Sequence, residues 1–203
     1  FCMKIIETFK TPIAKFVLNE DLKALVKFSR KCAKDDSSFC IRGRRESHKI
    51  SLQGGYQSPD LNLNIPELQS LRKQTTRCFN EFKTKFFYKA PIVIGNMWLN
   101  INYPKGYQPS HNHPRCCFAS SFYLSVPKNS GNIIFYNDSD LESYMPQKWI
   151  TKFGAFNSSK WTLPVENNTF YVFPGWLKHS VEENNSQEDR ISISINATDG
   201  SLT

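Results

Sequence analysis

The sequence predicts an all-β core, an antiparallel sandwich or barrel, with helices packed on its outside. Three observations carry this. The first ninety residues hold two stretches with helical hydrophobic spacing. Beyond about residue 90, short runs of aromatic and β-branched residues alternate with turn residues. The last of these runs, "RISISIN", alternates strictly: Ile191, Ile193 and Ile195 share one face, and Arg190, Ser192, Ser194 and Asn196 share the other.

Taken in order, "TPIAKFVL" alternates well enough for a strand. "NEDLKALVKFSRKCAKDD" follows as a helix, with Leu22, Leu25, Val26, Phe28 and Cys32 on its apolar face and Asn19 or Asp21 as its cap. "GGYQSPDLNL" reads as a loop, being rich in Gly, Pro, Ser and Asp. A longer amphipathic helix runs from Ile65 to about Phe87 and buries Leu68, Leu71, Cys78, Phe79 and Phe82. Pro66 sits in its first turn, where a missing N–H costs little. The β segments are "IVIGNMWLNINY", "FASSFYLSVP", "GNIIFYN", "TFYVFPGWL" and "RISISINAT". In "WLNIN", Trp98, Asn100 and Asn102 share one face, and Leu99 and Ile101 the other. The apolar faces would pack on the helices, which leaves the polar faces to solvent or to a polar cavity.

With 203 residues the chain fits a single domain, 1–203, in which 1–90 is a helical support region and 91–203 the β core. The stretch 137–168, long, polar and aromatic, is a candidate lid insertion. No apolar run is long enough to span a membrane, and no apolar leader is visible, so a cytoplasmic location is expected. The six cysteines form no Cys-x-x-Cys pair and are read as reduced thiols. The net charge of +8 is uneven: residues 1–90 carry 18 Lys/Arg against 9 Asp/Glu, and the remainder 8 against 9. The run "IRGRRESHK" could touch phosphates, but no basic stripe crosses the barrel. Nucleic acid is therefore not the expected partner, and salt-sensitive binding would reverse that expectation.

The chain has four histidines, and two of them fall in "SHNHP". A His-x-His on a strand places both imidazoles on one side, about 7 Å apart at Cα. That suits two ligands of one metal ion, whether iron, zinc, copper or nickel. His179, in "FPGWLKHSV", is the third candidate. His48 stands alone in the basic run and is read as a non-ligand. The interval from His179 to Arg190 fits a hairpin with the polar turn "EENNSQED", both residues facing inward from neighbouring strands. An inward arginine needs an anion, because an unpaired buried charge is very costly. A guanidinium matches a carboxylate, and Ser192 on the same face adds a hydroxyl.

The order His-x-His, His, Arg-x-Ser on a late β core resembles the iron(II)- and 2-oxoglutarate-dependent dioxygenases. More narrowly, it resembles a prolyl-hydroxylase-related branch found in bacteria and phages. The matching pieces are "GGYQSPDL", "WLNINYPKGYQPSHNHP", "SFYLSVPKNSGNIIFYN", "FYVFPGWLKHSV" and "RISISINAT", from about residue 50 to 198. The resemblance implies a mainly β fold: a double-stranded β-helix, or jelly roll, with the N-terminal helices on its outer face. It implies that His111, His113 and His179 ligate Fe(II), that Arg190 and Ser192 hold the remote carboxylate of 2-oxoglutarate, and that Asn102 and Tyr123 lie near this cosubstrate. The implied reaction uses molecular oxygen to hydroxylate a protein side chain such as proline, or a small molecule, while 2-oxoglutarate is decarboxylated to succinate. A homo-oligomer is compatible with this reading. Two departures stand out. Position 113 is His where the wider superfamily has a carboxylate, which leaves the identity of the metal open. "VENNTF" has Asn where Gly often precedes the strand. The competing reading is a three-histidine metal-binding jelly roll without 2-oxoglutarate, which would have no need of Arg190 and Ser192.

Overall fold

The computed structural model describes residues 3–8, 10–41, 52–139 and 141–202. Arg42 to Ser51, with most of the basic run and His48, lie outside the described residues, as does Cys2.

The first strand, β1 (Ala14–Val17), leads into helix α1 (Leu22–Lys34). Asp21 is the cap: its Oδ1 accepts the Ala24 N–H at 3.0 Å and satisfies an otherwise orphaned donor of the first turn. The segment read as a loop contains strand β2 (Gln53–Gln57), a correction to the sequence reading. Glycine explains both the strand and the misreading. A Cβ on Gly55 would lie 2.2 Å from Ile101 O, and one on Gly106 2.2 Å from Gly54 O. The glycines here permit backbone approach rather than marking a flexible loop. A short 3-10 turn, Pro66–Leu68, opens helix α2 (Gln69–Lys83), which tightens again over Thr84–Phe86, close to the expected span.

Strand β3 (Ile92–His111) is far longer than "IVIGNMWLNINY" suggests, because the chain stays extended through two prolines. Then come β4 (Phe118–Ser125), β5 (Ile133–Tyr136), the single-turn α3 (Leu141–Tyr144), β6 (Lys160–Leu163), β7 (Thr169–Pro174), β8 (His179–Val181) and β9 (Arg190–Asp199). The strand order is β1-β7-β4-β9-β3-β8-β5-β6, with β2 also on β3, and all the pairings are antiparallel. The sheet curls as a jelly-roll core does, because β3 serves two sheets. Its first half, to Asn102, pairs with β9, with one register shift between Ile94 and Asn96; its second half pairs with β8.

The expected hairpin from His179 to Arg190 is corrected by this topology. β8 and β9 are not paired with each other; each pairs with a different half of β3. The turn between them buckles onto the corner of β3 through Asn184, which is fully buried. Its N–H donates to Gly106 O (2.9 Å), and its side-chain amide donates to Asn102 O (2.9 Å) and Glu188 O (2.8 Å). Lys105, at φ 70°, turns that corner in the left-handed region.

The apolar face of β9 behaves as its alternation predicts. Ile191, Ile193 and Ile195 pack with Met97, Leu99 and Ile101 of β3 in one cluster with α1 and α2. Every apolar residue expected on the two helices joins that cluster. Phe79 meets Phe170 edge-on at 5.8 Å, and Phe82 meets Phe118 at 5.1 Å, geometries that aromatic quadrupoles favour. A second cluster, including Tyr123, Ile133, Phe135, Tyr171 and Phe173, fills part of the space between the sheets. Asn168, ahead of β7, adopts φ 65°, the conformation for which Asn substitutes for Gly. Cys78, Cys116 and Cys117 are free thiols, and among the described residues no helix is long and apolar enough to cross a membrane.

Candidate metal and cosubstrate site

Register brings two of the three candidate histidines together: His111 on β3 lies opposite His179 on β8. His113 follows in the loop, held where its N–H donates to Gly175 O at 2.8 Å. The ligating atoms of the three side chains all lie within 4.8 Å of one another. His113 and His179 are nearly parallel, with their Nε2 atoms 3.3 Å apart. His111 Nδ1 donates to Pro109 O (2.8 Å), and His179 Nδ1 donates to Leu177 O (2.9 Å). Each carbonyl fixes the tautomer whose Nε2 carries the lone pair, the outer support that metal-binding histidines require. Burial lowers the His111 pKa. It lowers that of His179 well below its ordinary value, with the neighbouring His111 and His113 adding to the effect. Imidazoles held neutral, with lone pairs converging, suit a divalent metal ion.

The second half of the site stands on the β3–β9–β4 ladder. Arg190 lies opposite Asn102; Ser192 lies opposite Asn100 on one side and Tyr123 on the other. Arg190 is almost wholly buried, and burial lowers its pKa, but a guanidinium remains a cation in proteins. Its Nη1 donates to Ser130 O (2.7 Å) and Gly131 O (3.2 Å). Its Nε and Nη2 and the Asn102 Nδ2 are buried without hydrogen-bond partners. Burial pushes the Tyr123 phenol up to about 12, which keeps it a donor. Donors buried together with no acceptor are costly unless an anion supplies one. One cavity is lined by these residues and by the three histidines.

The fold occurs in known proteins, and part of the sequence matches a known family. Residues 96–196 match the family model described as "Putative 2OG-Fe(II) oxygenase". The chain belongs to this family of 2OG-Fe(II) oxygenases. The oxygenase is thus an oxidoreductase of a family that uses iron(II), 2-oxoglutarate, molecular oxygen and a substrate. Solved structures share its fold. A prolyl-4-hydroxylase from Pseudomonas putida superposes with a TM-score of 0.60 at 10% identity, covering 92% of each chain. HygX from Streptomyces hygroscopicus, solved with nickel and 2-oxoglutarate, gives 0.60 at 9% identity, covering 94% of this chain and 84% of HygX. A 2OG-Fe(II) oxygenase family oxidoreductase from Burkholderia pseudomallei gives 0.52 at 14% identity, and here the chain spans 61% of that protein while 69% of its own length is covered. No curated protein matches the oxygenase in sequence.

All seven residues singled out from the sequence line this cavity. The sequence reading missed Gln108, whose amide Nε2 lies 3.4 Å from His111 Nε2, and Asn184, the buckle at the corner. Neither carries a local signal: Asn184 stands among turn residues, where asparagine is commonplace.

Proposed function

We propose that this oxygenase is a 2-oxoglutarate-dependent hydroxylase with a three-histidine iron site. His111, His113 and His179 hold the metal. Arg190, with Ser192, Asn102 and Tyr123, holds the remote carboxylate of 2-oxoglutarate. Bound together, iron(II) and 2-oxoglutarate supply the oxygen activation that hydroxylates carbon, with succinate and carbon dioxide as co-products. The protein's own part is placement. The Leu177 and Pro109 carbonyls orient two imidazoles, and the Ser130 and Gly131 carbonyls aim the guanidinium into the cavity. Buried walls strip water from the pocket and strengthen each polar contact made there. Because His113 is neutral where a carboxylate is usual, the metal centre keeps one more positive charge, which favours an anionic ligand.

The observation that carries this reading is the set of unpartnered donors around Arg190, in the same cavity as the histidines. A metal-binding protein without 2-oxoglutarate would leave them unsatisfied. The test is an anaerobic titration of metal-free protein with iron(II) and then 2-oxoglutarate, followed by visible absorbance. A weak charge-transfer band that requires both additions is expected. Metal binding with no such band would leave a three-histidine site of another kind.

A further inference from the structure

The connection between β5 and β7 forms an insertion that closes on itself and turns its aromatic rings outward. At its neck, Asn137 N–H donates to Ser159 O (2.8 Å). Further in, Gly154 N–H donates to Asn157 Oδ1 (2.7 Å), and Asn157 Nδ2 donates to Lys152 O (3.0 Å). These bonds fix the backbone, yet the rings build no core. Tyr144 is 85% exposed, Trp149 76%, Phe156 64%, Phe153 53% and Trp161 47%. Large apolar groups left exposed along one short segment mark a binding segment.

The residue order says what kind of segment it is. Three of the rings directly follow a lysine: Lys148–Trp149, Lys152–Phe153 and Lys160–Trp161. All three lysines are exposed, and the Lys148 ammonium lies 5.5 Å from the centre of the Trp149 ring. The one acid between residues 141 and 161, Glu142, accepts a hydrogen bond from the Ser159 hydroxyl. The segment is therefore positive as well as aromatic. It also adjoins the metal pocket: Phe135 on β5 packs 6.1 Å from the His179 ring, and its register partner on β6 is Trp161. Trp176, 60% exposed, lies on the turn whose Gly175 O accepts from His113.

Separate rings, each beside its own ammonium, match a ligand that repeats a flat ring and an anion unit by unit. Single-stranded nucleic acid is that ligand: bases stack on exposed rings, and phosphates meet lysines. A duplex hides its base faces. A lipid surface calls for a continuous apolar stripe, whereas this segment interleaves its rings with Lys, Asn, Ser and Gly. We propose that the insertion, residues 141–161, docks single-stranded nucleic acid and presents it to the metal pocket; the presentation rests on the hydroxylase reading above, the docking does not.

The test is fluorescence anisotropy of labelled oligothymidylate and oligouridylate with the full chain. Three neutralised phosphates predict roughly 20-fold weaker binding between about 50 and about 200 mM salt. Replacing the rings together (Trp149→Ala, Phe153→Ala, Trp161→Ala) should weaken binding at least about tenfold. Replacing the lysines together (Lys148→Gln, Lys152→Gln, Lys160→Gln) should flatten the salt dependence. Both variants should keep the wild-type melting temperature and the charge-transfer band, which separates lost docking from a lost fold or a lost metal site. Absence of binding at low salt, unchanged binding by the variants, equal binding to duplex, or tighter binding to a polyglutamate peptide or to phosphatidylserine vesicles would each overturn the proposal. Intact docking on a protein that shows no charge-transfer band would overturn only the presentation.

Discussion

The two halves of β3 do different work with the same backbone. From Ile92 to Asn102 the strand pairs with β9, without a break from Asn96 onward, and its site residue, Asn102, is fixed by the register that also places Arg190. From Tyr103 to His111 it pairs with β8 only through Gln108 and His111, across a register shift, with Tyr103 and Tyr107 exposed. The proposed carboxylate clamp thus stands on the unbroken stretch of ladder from Asn96 to Asn102, whereas the candidate metal site gathers a strand end, a loop residue and a three-residue strand. A ladder imposes geometry before any ligand arrives. The histidines depend on backbone carbonyls for orientation, and converging lone pairs leave a cation to complete their arrangement.

Substitutions in the two halves should differ accordingly. The largest effect belongs to the ladder's packing. Ile193→Ala, at a fully buried position, should cost about 2–5 kcal/mol of stability, read from urea unfolding. Tyr107→Ala, on the exposed second half, should stay within about 0.5 kcal/mol. Equal losses at the two positions would erase the distinction. Next comes His179→Ala, which should lower iron(II) affinity on the order of 100-fold or more with little change in melting temperature. Isothermal titration checks this, and an unchanged affinity would remove His179 from the metal site. Arg190→Ala should leave metal binding intact but weaken 2-oxoglutarate on the order of 100-fold, the scale of charge-assisted hydrogen bonds. The charge-transfer titration measures it directly.

Asn184→Ala tests the buckle that joins the halves. It leaves Asn102 O and Glu188 O without their donor and should cost about 1–3 kcal/mol. If the corner couples the two regions, 2-oxoglutarate binding should weaken along with stability. The smallest effect is on pH. His111 and His179 have pKa values lowered from 6.5 by burial, so the unfolded chain takes up protons more readily than the folded one. The metal-free protein should therefore be most stable above pH 6.5 and lose stability as pH falls through that value towards the lowered folded-state pKa values. A melting series without metal reads this, and a flat profile would contradict the burial of His179.

Much of the molecule was legible in the sequence because it is periodic. The alternation of "RISISIN" identified the face that packs on the helices and left the polar face to solvent or to a cavity, since side-chain direction along a strand is a local property. The helical spacing of Leu25, Phe28, Cys32 and of Leu71, Cys78, Phe79 did the same for α1 and α2. Composition misled at "GGYQ", where glycine reflects how near β3 approaches, a fact about a neighbour rather than about the segment itself. The hairpin drawn from His179 to Arg190 failed for a related reason. An interval of that length fits a local turn, but β3 lies between β8 and β9 in the strand order and takes the pairing from both.

By itself, then, the sequence determined which residue types were available: three imidazoles in order, a guanidinium on the polar face of the last strand, and lysine–aromatic pairs in the long insertion. Tertiary structure alone decided that the imidazoles converge within 4.8 Å, that Arg190 keeps two donors unpartnered, and that Asn184 locks the corner between them. The reason is physical. Periodicity encodes the direction of a side chain relative to its own backbone, while convergence depends on where long-range pairing carries that backbone.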